Sequence, residues 1–298
     1  MSTTATAPHS PAEDDIEHIA LDEDYVLTPG FVEKVVDAAD DGDGVKLRSL
    51  LEDLHPADVA DLMGFLTEQH RAVVVVWLPP ELLADTLPEL DDSIREEVLE
   101  RVPHLTLAEA LQELDSDDAA AVVEDLEDDQ REKVLAAMPE VDRAAIESSL
   151  GYAEDSAGRL MQREVMAAPQ FWNVGDTIDH IRKQGEELPE LFFDIYVVDP
   201  LNRPVGGVPV SQLLRSARGT TLTEIMEPVN EITVDQDQEE VAYIFEKYHL
   251  ISAPVIDAAG RLVGQITVDD IVNIIQEENR EDILRLAGVA DEDRGSSV

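Results

Sequence analysis

Residues 195–214 read IYVVDPLNRPVGGVPVSQLL, and residues 253–272 read APVIDAAGRLVGQITVDDIV. The two align without a gap at an offset of 58, pairing Val197 with Val255, Asp199 with Asp257, Arg203 with Arg261, Gly206 with Gly264 and Val208 with Ile266. Each copy runs from an apolar stretch through a polar turn to a second apolar stretch and a helix start, the pattern of strand, turn, strand and helix. Gly206 and Gly264 stand between the strands, where a tight turn or a close backbone approach is expected. The correspondence extends upstream, where Leu160-Met161 matches Ile225-Met226, each followed by a strand and an amphipathic helix. A matched repeat of this kind predicts two small units packed around a ligand-binding cleft, and so a sensor rather than a catalyst.

Ahead of the repeat, from about 45 to 150, the pattern is helical and again repetitive. LDDSIREEVL at 90–99 matches LEDDQREKVL at 126–135, and LHPADVADLM at 54–63 resembles LDSDDAAAVV at 114–123. Asp, Ser or Pro precedes each apolar-periodic run, as caps and first-turn residues do. Pro79, Pro80, Pro88, Pro103 and Pro139 punctuate the helices. Helices this short cannot each bury a whole face alone, so a stacked, superhelical array is expected. DDGDG at 40–44 reads as a turn between helices, because the glutamate that closes a calcium loop is absent. Residues 1–25 read as a disordered acidic lead-in. At the other end, NREDILRLAGV from 279 reads as a further helix start before a polar tail.

Composition limits the function. The chain has 298 residues, enough for about two domains, and 44% of them are hydrophobic. Its 67 acidic residues outnumber 21 basic ones, giving a formal charge of −46. Nucleic acid and anionic membrane surfaces should repel such a surface, whereas cations should be drawn to it. With only five lysines, the acidity also fits a solvated surface adapted to high salt. The absence of cysteine excludes disulfides, thiolate metal sites and thiol nucleophiles. The longest apolar stretch, AVVVVWL at 72–78, is too short to span a membrane, and no signal-peptide pattern opens the chain. A soluble intracellular polypeptide is the expectation. The seven histidines are scattered, His55 reads as a helix-start residue, and no Walker loop, G-x-S-x-G or dinucleotide fingerprint occurs. The expectation is therefore not an enzyme.

The two V-h-D-x-x-x-R-x-V-G strands, the second followed by TVDD at 267–270, resemble a tandem pair of cystathionine-β-synthase (CBS) domains. Together with the acidic helical region, YAEDSAGRLM at 152–161, DQDQEEVA at 235–242 and EDILRLAGV at 281–289, they resemble the cytosolic part of MgtE-family magnesium channels. The resemblance covers nearly everything from 45 to 289. It implies an α + α/β architecture: lead-in 1–25, helical superhelical domain 26–150, first CBS domain 151–220, second CBS domain 221–280, and the start of a connecting helix at 281–298. It implies a homodimer through the CBS domains, attached to a membrane pore, with this region on the cytoplasmic face of the cell membrane. The pore itself would follow Val298, so the chain reads as a regulatory portion made without its pore or as a natural pore-less protein.

The family regulates by Mg2+ bridging acidic faces of the helical and CBS domains, closing the pore when cytosolic magnesium is plentiful. Carried onto this chain, that interface implies Asp117 in LDSDDAA and Asp270 in TVDDIV, with Asp85 in ELLADTL as a further acid. Glu239, Glu278, Glu281 and Asp282 match acids near the dimer and connecting-helix sites. Ala121, His249 and Asn273 stand where the family usually has an acid or an asparagine. CBS pairs that bind adenine nucleotides hold the ribose with a Thr or Ser and an Asp three residues on, which implies ATP at Thr267 and Asp270. The first copy has Pro209 and Gln212 at those places. Manganese and calcium remain alternatives to magnesium. The rival reading is a soluble nucleotide-responsive CBS adaptor that docks a partner through its helices.

Overall fold

In the computed structural model, which describes residues 20–185, 188–189 and 191–275, contacts divide the chain into two compact units. One comprises the residues up to Leu114 with Ala121–Pro139, the other Asp115–Ala120 with Glu140 onward. Of the expected lead-in, residues 1–19 lie outside the described residues, whereas 20–25 belong to a turn closed by a bridge between Leu21 and Leu27. That segment is not a free tail, because Leu27 is buried and anchors it.

The first unit is a succession of short helices, of which the first four described are started by a side-chain cap and later ones by Pro79, Asp91, Pro103 or Glu127 at the N-cap without a side-chain bond. Thr28 Oγ1 accepts from the amide of Phe31 at the head of Pro29–Asp40, and Asp43 Oδ1 accepts from Lys46 at the head of Gly44–Leu51. The DDGDG stretch is the turn between these two helices, with Gly42 at φ 65°. His55 is a helix-start residue, its Nδ1 accepting from the amide of Ala57 ahead of Pro56–Phe65. Thr67 caps Glu68–Trp77, and Pro80 opens Pro80–Thr86. Packing then skips one element at a time. Pro56–Phe65 contacts Pro80–Thr86, which contacts His104–Ala110, which contacts Asp128–Ala137, while Glu68–Trp77 contacts Asp92–Arg101. Each helix thus covers a narrow apolar face of the next but one, and Leu62, Leu83, Leu107 and Val134 are buried along this line.

The repeat in the helical region places an arginine four residues after each cap, and its task is structural. Arg71 Nη1 donates to the carbonyls of Met63 and Leu66, the last of the preceding helix. Arg131 donates to Val123, Glu124 and Leu126 in the same way, and Arg95 to Leu90. These are carbonyls a helix end leaves without partners, and a guanidinium satisfies them while complementing the helix dipole. Two of the arginines also pair forward, Arg71 with Glu97 and Arg95 with Asp125.

The second unit holds the tandem repeat as two three-stranded sheets, ordered β1 (Ala167–Pro169), β2 (Asp194–Val198), β3 (Pro204–Pro209) and β4 (Ile232–Thr233), β5 (Ser252–Ile256), β6 (Leu262–Thr267). In each, the first pair is parallel and the second antiparallel. The offset of 58 holds to the residue: Val197 opposes Gly206 where Val255 opposes Gly264, and a bulge follows at Val197/Val198 and at Val255/Ile256. The turn residues Asp199 and Arg203 clasp each other, Nε to Oδ2 at 2.9 Å, as do Asp257 and Arg261 at 2.8 Å. The repeated D-x-x-x-R is therefore a hairpin clasp.

Gly206 and Gly264 lie inside strands, not in turns, and what they permit is close approach. A Cβ on Gly264 would sit 2.5 Å from the carbonyl oxygen of Gln162, and one on Gly206 would sit 2.9 Å from that of Glu227. The segments that approach come from the opposite copy. Gln162, ahead of the first sheet, bridges to Gln265 in β6, and Glu227, ahead of the second, bridges to Gly207 in β3. Accordingly Ala157 and Met161 are buried with Ile232, Val255 and Ile266 of the second sheet, whereas Leu222 is buried with Ile195, Val197 and Val208 of the first. The two halves also meet where Tyr196 Oη donates to Ser252 Oγ, which donates to Asp194 Oδ2. Burial raises Asp194 above the usual carboxylate range, and the Ser252 hydrogen bond offsets part of this.

Gly264→Ala should lower stability by about 2–3 kcal/mol in urea unfolding, because backbone rather than a movable side chain blocks the methyl group. Gly30→Ala, in a helix where a Cβ meets nothing within 4 Å, should be neutral or slightly stabilising. Arg71→Ala should cost about 2–3 kcal/mol by the same measurement, since it leaves Glu97 only the longer Arg101 contact, at 3.7 Å, and removes the donor to two helix-end carbonyls. The figure is below that for a fully buried pair because Arg71 and Glu97 remain 15% and 17% exposed.

Candidate metal centre

Two of the expected acids come together. Helix Ser116–Glu124 carries Asp115, Ser116, Asp117 and Asp118 at its head, and the chain leaving β6 turns into helical residues 268–275 that carry Asp269 and Asp270. An amphipathic helix needs its first residues outside the core, and acids suit its N-terminal turn. The sequence therefore places carboxylates at both helix heads for ordinary reasons. Their meeting is not ordinary.

Asp117 Oδ1 is buried and accepts no hydrogen bond. Burial holds the Asp117 carboxyl well above the usual aspartate range, and the charges of Asp270, Asp118 and Asp115 push it further, with the amide of Asp118 pulling back. Asp270 is pushed up to about 7, first by burial and then by Asp269; its hydrogen bond from Thr267 opposes this and the charge of Asp118 adds to it. Each carboxyl is thus held toward its protonated form, and the charge of Asp270 adds to the cost of ionising Asp117. The arrangement is a pair of enclosed carboxylates that cannot both be bare anions without large repulsion.

Thr267 and Asp270 bond to each other: Thr267 Oγ1 donates to Asp270 Oδ2 at 2.9 Å, and the amide of Thr267 approaches the same oxygen at 3.4 Å. The Thr-x-x-Asp spacing is here that of a helix cap, like Thr221 with Glu224 and Asn173 with Asp176 elsewhere in the unit. Glu239 is exposed in the first turn of Gln238–Tyr248, behind its cap Asp237. Asp85 is exposed on Pro80–Thr86, in the other unit. Glu278, Glu281 and Asp282 lie outside the described residues. Among the described residues, no three His, Asp or Glu side chains form a metal-holding group, so Glu239 does not complete one with the pair. Asp118, which acts on both members of the pair, was the acid that sequence reasoning passed over, although it stands beside Asp117 in LDSDD. His249 ends Gln238–Tyr248 in the left-handed conformation at φ 54°, which explains why this place suits asparagine: it terminates a helix. Ala121 and Asn273 are exposed.

The donor set suits a small hard cation. Magnesium takes oxygen ligands, keeps several waters and needs only one or two carboxylates, so a buried acceptor without a partner beside a second carboxylate fits it.

A capped helical array leading into two exchanged strand–helix modules defines the class: a CBS-pair protein with a helical N-terminal domain. The model of the MgtE intracellular N domain matches residues 54–155, and that of the CBS domain matches 222–277. The magnesium transporter MgtE of Thermus thermophilus is 38% identical over 259 residues, which are 85% of this chain and 57% of that protein. MgtE of Bacillus subtilis is 29% identical, over 83% of this chain and 55% of that protein. The chain thus spans little more than half the length of these relatives. It superposes on the crystal structure of the cytosolic domain of the Mg2+ channel MgtE in complex with ATP with a TM-score of 0.76, at 34% identity, covering 82% of this chain and 99% of that one. The soluble part of a magnesium transporter matches with a TM-score of 0.73 and 25% identity. The chain belongs to the MgtE family and corresponds to its cytosolic domain. Among the described residues no helix is long and apolar enough to cross a membrane, and the relatives are named as transporters, not enzymes.

The perturbed pair gives stability a pH dependence. An unfolded aspartate loses its proton near pH 4, whereas folded Asp270 keeps it to about 7. Stability from this group is full below about pH 4 and falls as pH rises to about 7. With no divalent ion present, Asp270→Asn should therefore flatten the decline, by roughly 2–4 kcal/mol at pH 7.5, in thermal unfolding followed across pH.

Proposed function

We propose that this chain is the magnesium-sensing cytosolic regulatory region of an MgtE-type magnesium channel, in which a magnesium ion at Asp117 and Asp270 favours the closed pore. The buried, unpartnered Oδ1 of Asp117 beside Asp270 carries this reading. Without a cation the pair either holds protons or repels; with one, the arrangement that brings the carboxylates together is favoured. An ion that binds one arrangement better than another shifts the population by its differential affinity, which is what a switch requires. Asp85, Glu239, Glu278, Glu281 and Asp282 are proposed as further acids that engage cations through water.

The proposal includes a homodimer formed by the CBS modules and a partner pore domain in the same protein, at the cytoplasmic face of the membrane. Exposed Leu214, Val268 and Val272 on the helices that follow the two sheets support an apolar face for the second copy. ATP, present in the solved relative's complex, is proposed as a second ligand whose ribose competes for Thr267 and Asp270. A nucleotide-responsive adaptor would instead bind ATP without magnesium and show no response to magnesium alone.

The test is small-angle scattering of the purified chain through a magnesium titration at constant ionic strength, with sodium as the control for screening. Compaction at millimolar magnesium, absent with sodium and weakened at least tenfold in Asp117→Asn or Asp270→Asn, is expected. The same change with sodium would overturn the reading and leave a solvated acidic surface.

A further inference from the structure

The head of helix Ser116–Glu124 is held by a polar network that the repeat symmetry does not require. Glu164 Oε2 accepts from both the amide of Ser116, at 3.2 Å, and its Oγ, at 2.9 Å. Ser116 Oγ in turn accepts from the amide of Arg163 at 2.8 Å, and Gln162 Nε2 donates to Asp115 Oδ2 at 3.2 Å. Gln265 Nε2 closes the network on the carbonyl of Glu164 at 3.0 Å. Ser116, Gln162 and Gln265 are all buried.

The other copy lacks all of this. By the offsets that align the two halves, the counterpart of Gln265 is Gly207, that of Gln162 is Glu227 and that of Glu164 is Val229. There the contact is apolar, with Val229 packed over Gly207. Only one of two equivalent crossings was therefore given buried polar side chains, and buried polar side chains fix geometry because they cost stability unless satisfied. The network ends at two places of consequence. Ser116 is the residue before Asp117, and Gln265 precedes Thr267 and Asp270 by two and five residues on the strand and helix that carry them.

We propose that Glu164, acting through Ser116, is a positioning residue that sets where Asp117 stands relative to Asp270, and so sets the affinity of the pair for a divalent cation. This rests on the magnesium reading above. The role of Glu164 is to hold, through the two hydrogen bonds from Ser116 to one of its oxygens, the helix head that carries Asp117.

The experiment is a calorimetric titration of the whole chain with magnesium chloride at fixed ionic strength, alongside thermal unfolding without magnesium. Glu164→Gln and Ser116→Ala should each weaken binding about three- to tenfold, the span of one lost positioning hydrogen bond. Ser116→Thr, which keeps the hydroxyl, should bind like the parent. In an Asp117→Asn background, Glu164→Gln should weaken binding no further, because the residue through which it acts is gone. Undiminished affinity in Glu164→Gln, or equal weakening with and without Asp117, would overturn the proposal. If Asp117→Asn alone binds magnesium like the parent, the cation reading itself fails, and that result is recognisable without any Glu164 variant.

Discussion

Two backbone crossings hold the second unit together: Gln162 against Gln265, and Glu227 against Gly207. Each needs a glycine, because at Gly264 and Gly206 the approaching carbonyl stands where a Cβ would be. Buried backbone groups have to be paired, so these crossings fix the lead segments of both copies. They also decide the place of the site. β6 enters the crossing at Gln265 and, a few residues later, delivers Thr267 and Asp270 to the helix head beside Asp117.

On this nearly symmetric frame the functional chemistry is one-sided. The first copy ends its last strand in Pro209, with Gln212 three residues on, and its crossing is apolar; the second has Thr267, Asp270 and a polar network reaching Ser116. Duplication supplies the scaffold, and departure from it supplies the buried acidic pair and its polar network. The same economy governs positive charge in a chain with a net −46. Arg71, Arg95 and Arg131 lie over helix ends, and Arg203 and Arg261 close hairpin turns, so these five arginines serve joints of the fold.

Much of this architecture could be read from the residues, because period and offset are local properties. The 58-residue repeat predicted both hairpins, and Val197 and Val255 fall at the same register against Gly206 and Gly264. The capped short helices predicted the stacked array. What could not be read was partnership over distance. Nothing at Met161 says that it is buried with the second sheet rather than the first, and a glycine announces close approach without naming what approaches. The candidate site could be named only through resemblance: Asp117 and Asp270 are separated by 153 positions and look like two ordinary helix-head acids among 67. Their perturbation comes from burial, which no spacing encodes. The Thr267–Asp270 spacing, in turn, serves first as a helix cap.

The crossed lead segments have a consequence for anyone dividing the protein. A fragment cut where the repeat seems to begin, near residue 221, carries all three strands of the second sheet but leaves Ala157 and Met161 behind with the other piece. It would expose the hollow over Gly264 and an unpaired stretch of β6, an edge open to pairing with other chains. The two halves are thus interlocked like clasped hands, and the smallest piece that can keep the acidic pair's strand intact starts well before the first repeat.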